Sequence, residues 1–355
     1  MSVNYKIELQ SLIDILITER ASDLHFSVGA HPLIRISGRL VPLVKKPILT
    51  DTDISSFAKV MMRPDQFERL ERREEVDFSF ETTQMVRFRG NGFFQRGKPG
   101  IALRLIPNVI RNLEELNLPP ILESFTQRTQ GFFLCVGPVG QGKSTTLAAM
   151  VNHINKTRSE HIVTIEDPIE YVYVEEKSLI DQREVGIDTI SFYSALNAAF
   201  RQDVDVILVG EMRNAETIET AVTAAGTGHL VYSTLHTNDA AQTVSRIIDT
   251  FPGDKQAQIR VQLAGSLVGI FSQRLIPHIS GGLVPAYELL INNTAVSNLI
   301  RENRVHELPA IIETGLEHGM IDMNRSLAKL VQNGDITVEN AFTYSNNPKG
   351  LERLI

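Results

Sequence analysis

One cysteine stands in 355 residues. Cys135 lies inside an apolar run, and a lone thiol there reads as a small core residue of a reducing compartment. Without a second cysteine there is no disulfide framework and no Cys-x-x-Cys pair, which excludes a thiolate zinc site. Long apolar runs are missing too. None approaches the roughly 20 residues of a transmembrane helix, and no basic stretch followed by an apolar one opens the chain as a secretion signal would. Positive charge is in deficit: 35 Lys and Arg against 42 Asp and Glu leave a net charge of −7. That balance speaks against a dedicated nucleic-acid binder, although a local basic patch stays possible. The expectation is a soluble cytosolic protein.

What the chain has is length for about two domains, and an apolar content of 43% gives each a sizeable core. Residues 1–106 read as a small α+β unit. Leu9, Leu12, Ile13 and Leu16 form a helical stripe. Short alternating runs follow at 23–28 and 32–43, the second broken by Ser37-Gly38 as a hairpin turn. Residues 51–62 form a helix with Thr50 or Asp51 as its cap. Further strands are predicted at 76–80, 86–95 and 101–106. With no strand–helix–strand crossover among them, the sheet is expected to be antiparallel. Residues 107–120 hold three prolines and form the linker. From 121 to 355 the pattern changes. Strands at 131–136, 161–165, 204–209 and 230–235 alternate with helices such as 191–202 and 215–225, which predicts a parallel sheet covered on both faces. Beyond about residue 254 the chain is expected to be largely helical, with a loosely held tail after Ser345.

Residues 137–145 read GPVGQGKST and match the phosphate-loop pattern G-x-x-x-x-G-K-[ST] at Gly137, Gly142, Lys143 and Ser144. The loop sits between a predicted strand and a helix that carries Leu147, Met150, Val151 and Ile154 on one face, the context the motif needs. Backbone N–H groups of Gly137, Pro138's successors Val139, Gly140 and Gln141, and then Gly142 to Thr145, would line the phosphates. The helix N-terminus adds partial positive charge. Lys143 reaches the β- and γ-phosphates, and the Ser144 hydroxyl ligates Mg²⁺. ATP with Mg²⁺ is the implied cofactor pair.

In an open parallel sheet ligands bind at the carboxyl ends of strands, and three polar clusters fall there. They are 164–170 (TIEDPIE), 210–213 (GEMR) and 233–237 (STLHT). Glu211 is the acidic strand end expected near Mg²⁺ through water. Glu166, Asp167 and Glu170 are alternative water-positioning carboxylates, with helix caps or surface ion pairs as the plainer role for some. His236 is placed to sense phosphate. His229, seven residues earlier, would point to the opposite face of the same strand, so the two form no simple metal pair. Arg87, Arg89, Arg96 and Arg104 lie in strand-like segments of the first unit. Spacing alone reads them as solvated strand arginines, and in a ring one of them could reach nucleotide across an interface.

Taken in order, GPVGQGKSTTLAAM, TIEDPIEY, QREVG, ILVGEMRN and TGHLVYSTLHT resemble the secretion-type motor ATPases, and within them the type IV pilus retraction ATPases. ASDLHF at residues 21–26 and VDFSF at 76–80 extend the resemblance over nearly the whole chain. It implies a homohexamer whose subunits pair a PAS-like amino-terminal domain with a RecA-like ATPase domain. The ring would sit at the cytoplasmic base of the pilus machine, against the inner face of the cytoplasmic membrane, and engage an inner-membrane platform protein, with no direct contact to nucleic acid. It implies Glu170 as general base, Glu211 as the glutamate of the second nucleotide motif, and His229 and His236 as the histidine box. Arg96 and Arg104 become the nucleotide-contacting arginines. Absence of a four-cysteine zinc element and the sequence AVSNLIRE at 295–302, close to the AIRNLIRE of retraction members, favour retraction over extension. Other roles in the same superfamily are an accessory retraction motor, an extension or secretion ATPase, and a non-hydrolysing regulator. Val139, Gln141 and Val204 depart from the Thr, Ser and Pro usual in the family.

Overall fold

The computed structural model describes residues 4–36, 38–84, 86–106 and 109–355. Contacts divide the chain into two compact units, residues 1–109 with Glu170–Val172, and residues 110–169 with Tyr173–Ile355.

The first unit runs α1 (Tyr5–Thr18), β1 (Asp23–Ser27), β2 (Leu33–Ile36), β3 (Arg39–Pro42), α2 (Asp51–Met61), α3 (Pro64–Glu71), β4 (Val76–Glu81), β5 (Arg87–Gln95) and β6 (Lys98–Ile106). Its strands form one sheet in the order β3-β2-β1-β6-β5-β4, and every pair is antiparallel. Leu9, Leu12, Ile13 and Leu16 are the buried face of α1. Thr50 caps α2 in a capping box with Asp53, which satisfies two otherwise bare N–H donors. Phe26, Leu24, Phe78, Phe88 and Leu103 fill the core between helices and sheet, each buried Phe or Leu contributing about 1.5–3 kcal/mol. Ser37 of the expected β2–β3 turn lies outside the described residues. Its neighbour Gly38 has φ 82.

The second unit adds α4 (Leu122–Thr126), β7 (Gly131–Val136), α5 (Lys143–Thr157), β8 (His161–Glu166), β9 (Leu179–Glu184), α6 (Phe192–Ala199), β10 (Val206–Val209), α7 (Ala215–Gly226) and β11 (Leu230–Leu235). It continues through α8 (Ala240–Asp249), α9 (Gly253–Ser266), β12 (Leu267–Pro277), β13 (Leu283–Ile291) and α10 (Thr294–Arg301) to α11 (Leu308–Thr314), α12 (Met323–Gln332), α13 (Val338–Tyr344) and α14 (Pro348–Glu352). The sheet order is β13-β12-β7-β11-β10-β8-β9. All neighbours are parallel except the β12–β13 hairpin. Strands β7, β10 and β11 are buried along their whole length, as expected where both faces are covered.

Two expectations need correction here. The region after residue 254 is largely helical, through α9 to α14, but not wholly so: β12 and β13 extend the sheet across 11 and 9 residues. Polar Ser272, Gln273 and Arg274 interrupt the apolar pattern of β12 and hide it. The tail is not loose either, because Leu351 of α14 is fully buried against α12 and α13 residues such as Leu327 and Ala341.

Candidate nucleotide site

The phosphate loop joins β7 to α5 at the carboxyl end of the sheet. Its shape requires glycine. Gly137 has φ 145, and a Cβ there would stand 2.5 Å from the Gln273 carbonyl oxygen. Gly142, with φ 78, is the N-cap of α5, and no side chain caps that helix. By contrast Asn214 and Asp239 cap α7 and α8 with their own side chains. With glycine at its head and the helix dipole behind it, the α5 N-terminus is the end of the helix that favours an anionic ligand.

Lys143 is buried at the head of α5, and its Nζ donates to the carbonyls of Gly137 at 2.9 Å and Pro138 at 2.8 Å. It also lies 3.4 Å from Nδ1 of His236, just past the end of β11. His236 Nε2 in turn stands 3.9 Å from Glu211 Oε2, and Glu211 is ion-paired with Arg213. Lys143, His236, Glu211 and Arg213 thus form one polar chain across the ends of β7, β11 and β10. Partial desolvation, then the positive charge of Lys143, holds the His236 ring below its ordinary pKa, while Glu211 pulls the other way. That shift favours the neutral ring, which can donate or accept a hydrogen bond without adding charge. Ser233 and Thr234 fix this arrangement: their hydroxyls donate to the carbonyls of Val209 at 2.7 Å and Gly210 at 2.6 Å. Beside the chain opens a cavity of about 420 Å³ whose lining includes Glu211, Arg213, His236, Gln242 and Arg246.

The other predicted residues are not all gathered there. Ser144 is exposed and Thr145 half-buried in the first turn of α5. Glu166 is buried, and its carboxylate accepts the Thr164 hydroxyl at 2.7 Å and the Gln182 amide at 3.4 Å, a structural arrangement within the sheet. Glu170 is exposed and belongs to the short segment that groups with the first unit. His229 precedes β11 at its amino end, six strand residues from the loop side. Its Nδ1 meets the Ala224 carbonyl at 3.1 Å and its ring packs edge-on against Phe200. Within one subunit the structure does not bring His229 to Lys143.

In the first unit Arg104 Nε donates to Asp23 at 3.1 Å, and Arg35 lies 3.6 Å from the same carboxylate. Cross-strand register puts Arg89 beside Arg104 and Arg104 beside Asp23. The result is a row of arginines on the face opposite the core. Arg96 occupies the two-residue β5–β6 turn with Gly97, both at positive φ (50 and 75), the backbone that a tight hairpin demands.

Sequence comparison decides the relationship. The model of the family described as Type II/IV secretion system protein matches residues 4–321. The chain belongs to that family. It is 43% identical over 343 residues to the type IV pilus retraction ATPase PilT of Pseudomonas aeruginosa, covering 97% of this chain and 99% of the relative. It is 44% identical over 321 residues to a twitching motility protein of Neisseria gonorrhoeae, covering 90% of this chain and 86% of that protein. The fold matches the crystal structure of the pilus retraction motor PilT with bound ADP at a TM-score of 0.91 and 47% identity, over 99% of this chain and 100% of that one.

Inside this family frame, two strands carry bracing residues to which the sequence alone assigns no role. On β9, Gln182 accepts the N–H of Tyr173 at 3.0 Å and Glu184 accepts the N–H of Ile169 at 3.2 Å, so alternate side chains of one strand hold both flanks of Glu170–Val172. Their i, i+2 spacing in QREVG is the signal that could have been read. On β12, Gln273 and Arg274 touch the phosphate loop and the segment after His236. No motif announces them. Ser297, in the family's arginine position of AVSNLIRE, is buried and donates to the Ala264 carbonyl at 2.9 Å.

Proposed function

We propose that this chain is the ATP-hydrolysing subunit of a homohexameric motor that drives type IV pilus retraction. The observation that carries the reading is the Lys143–His236–Glu211 chain laid across the strand ends at a glycine-built phosphate loop, in a chain whose fold matches an ADP-bound retraction motor over nearly its full length. Phosphoryl transfer needs positioning and charge stabilisation more than covalent chemistry. Lys143 and the α5 N–H groups bind and orient the phosphates. Glu170 takes the proton of the attacking water. His236, in contact with both Lys143 and Glu211, registers the terminal phosphate. Arg96 and Arg104 supply positive charge at subunit interfaces. His229, at the far end of β11, serves a neighbouring subunit.

Among the described residues no group of three His, Cys, Asp or Glu side chains forms a metal site alone. A cation here would therefore be shared with phosphate oxygens, which suits hard, oxygen-ligated Mg²⁺. Ser144 and Glu211 are the residues that would hold it, and bound Mg²⁺ would neutralise charge developing on the transferred phosphoryl group. The partner is an inner-membrane platform protein, reached from the cytoplasmic side. Among the described residues no helix is long and apolar enough to cross a membrane.

The test is pilus number and twitching in a deletion strain complemented with wild type or Glu170→Gln. Excess, non-retracting pili rescued only by wild type are expected. Bald cells would move the assignment to extension, and normal retraction with Glu170→Gln would remove hydrolysis by this subunit as the power source.

A further inference from the structure

We propose that Gln273 of β12 is a positioning residue for the nucleotide reaction, which with Gln141 staples the phosphate loop into its binding-ready shape; this rests on the reading of the chain as an ATPase. The geometry comes from where β7 stops. Strand β12 runs beside β7 as far as Ser272 opposite Val136. Beyond that point β7 turns into the loop, and the β12 backbone loses its partner on that side. Gln141 fills the gap: its Oε1 accepts the N–H of Leu275 at 2.7 Å. Gln273 answers from the strand. Its Nε2 donates to the Gln141 carbonyl at 2.8 Å, and its Oε1 accepts the hydroxyl of Thr146, one turn into α5, at 2.6 Å. Gln273 is 3% exposed and Thr146 1%, so these bonds are shielded from water and costly to leave unmade. One side chain thereby ties the loop to the helix that follows it.

The opposite face of β12 holds the other half of the site. Ser272 donates to the Asn238 carbonyl at 2.8 Å, and Arg274 Nη2 donates to the Asn238 side chain at 3.0 Å. Consecutive residues of a strand point to opposite faces, so Ser272 and Arg274 fix the segment after His236 while Gln273 fixes the loop that carries Lys143. The strand sets the spacing between the two phosphate-facing groups. The residue at 141 matters for this chain in particular. Serine at this position would be too short to reach Leu275 as glutamine does.

The variants are Gln273→Met, which keeps the volume and removes both side-chain hydrogen bonds, and Gln141→Ser, which alters a half-buried loop position and leaves the core intact. Dissociation constants for a fluorescent ADP analogue and for ATP, KM and kcat for hydrolysis, and Tm are measured on the assembled protein. Loosening a prearranged loop weakens ground-state and transition-state binding together. Kd and KM should rise about tenfold for Gln273→Met and about threefold for Gln141→Ser, as expected for lost buried hydrogen bonds. In both, kcat should stay within about threefold of wild type and Tm within a few degrees. Unchanged Kd and KM in both variants, or a lowered Tm with unchanged Kd, would reduce Gln273 to a packing residue and overturn the proposal. A wild-type protein that binds nucleotide without turnover would sink the motor reading, and the Kd comparison would still decide on the staple.

Discussion

In the amino-terminal sheet the strands alternate. Asp23, Arg35, Arg89 and Arg104 share one face, while Leu24, Ile34, Phe88 and Leu103 turn inward to the helices. In the second sheet β7, β10 and β11 are buried on both sides; β7 and β10 are apolar throughout, and the polar side chains inside β11 donate to backbone carbonyls. An antiparallel sheet with one covered face offers its whole open face for chemistry, whereas a parallel sheet covered twice offers only its edges. The consequence is a difference in tolerance. On an open face a side chain can change with little effect on packing. At a strand end the loop is built into the fold, and Gly137, Lys143, His236 and Glu211 depend on one another.

The sharpest way to break this contrast is at Gly137. A Cβ there meets the Gln273 carbonyl, and φ 145 is a region L-residues rarely occupy. Gly137→Ala should displace the loop and, with it, the N–H groups that stabilise transferring charge. ATP turnover should fall by at least about 100-fold, the scale of losing one preorganised donor, while circular dichroism stays native. Turnover near wild type would mean that the loop is not the phosphate cradle.

A smaller effect comes from Glu288 on β13, beneath the α8 N-terminus. Burial raises its carboxyl to about 7; the N–H of Ala240 pulls it down, Asp239 and Asp322 push it up, and Arg274 pulls it down. The folded state therefore holds a proton that the unfolded chain releases near its ordinary value of 4.5. Stability from this group is full below that value, declines as pH rises toward 7, and is lost above it. Glu288→Gln keeps an acceptor for Ala240 and removes the charge. It should flatten this part of the pH–stability curve and raise stability above pH 7 by about 3 kcal/mol. Denaturation at pH 5 and pH 8 measures it, and an unchanged pH dependence would refute a buried, titrating Glu288.

The same contrast governs what could be read from the sequence. The phosphate loop was legible because its chemistry is local: nine residues, glycines at fixed places, a strand before and a helix after. Strands β7 and β10 were legible as unbroken apolar runs. Strand β12 was not, because Ser272, Gln273 and Arg274 sit inside it as polar residues, and they are polar since they hold the loops of the site. Strand β9 was missed for a related reason. Its sequence LIDQRE looks like surface, yet Gln182 and Glu184 hold the flanks of the Glu170 segment. Leu351 gave no periodic signal at all, and its burial depends on α12 and α13, which are distant in sequence. Local propensity marks the part of a site made by one stretch of chain and is silent about the neighbours that brace it.

The mildest test asks whether the open face of the first sheet has a function. The Arg104 side chain is 73% exposed, and its partner Asp23 is almost wholly buried, with a carboxyl held below the usual range. Burial alone would raise that carboxyl, but the Ser22 hydroxyl and Arg104 outweigh it. Asp23 keeps Ser22 and Arg35 when Arg104 is removed. Arg104→Ala should therefore cost less than about 1 kcal/mol of folding stability, as for an exposed ion pair. An arginine that supplies charge to nucleotide predicts something else: ATP turnover of the assembled protein falling about tenfold or more, with Tm nearly unchanged. Turnover that moves only as far as stability does would return the arginine row to solvent, and the open face would then be a surface without a role in hydrolysis.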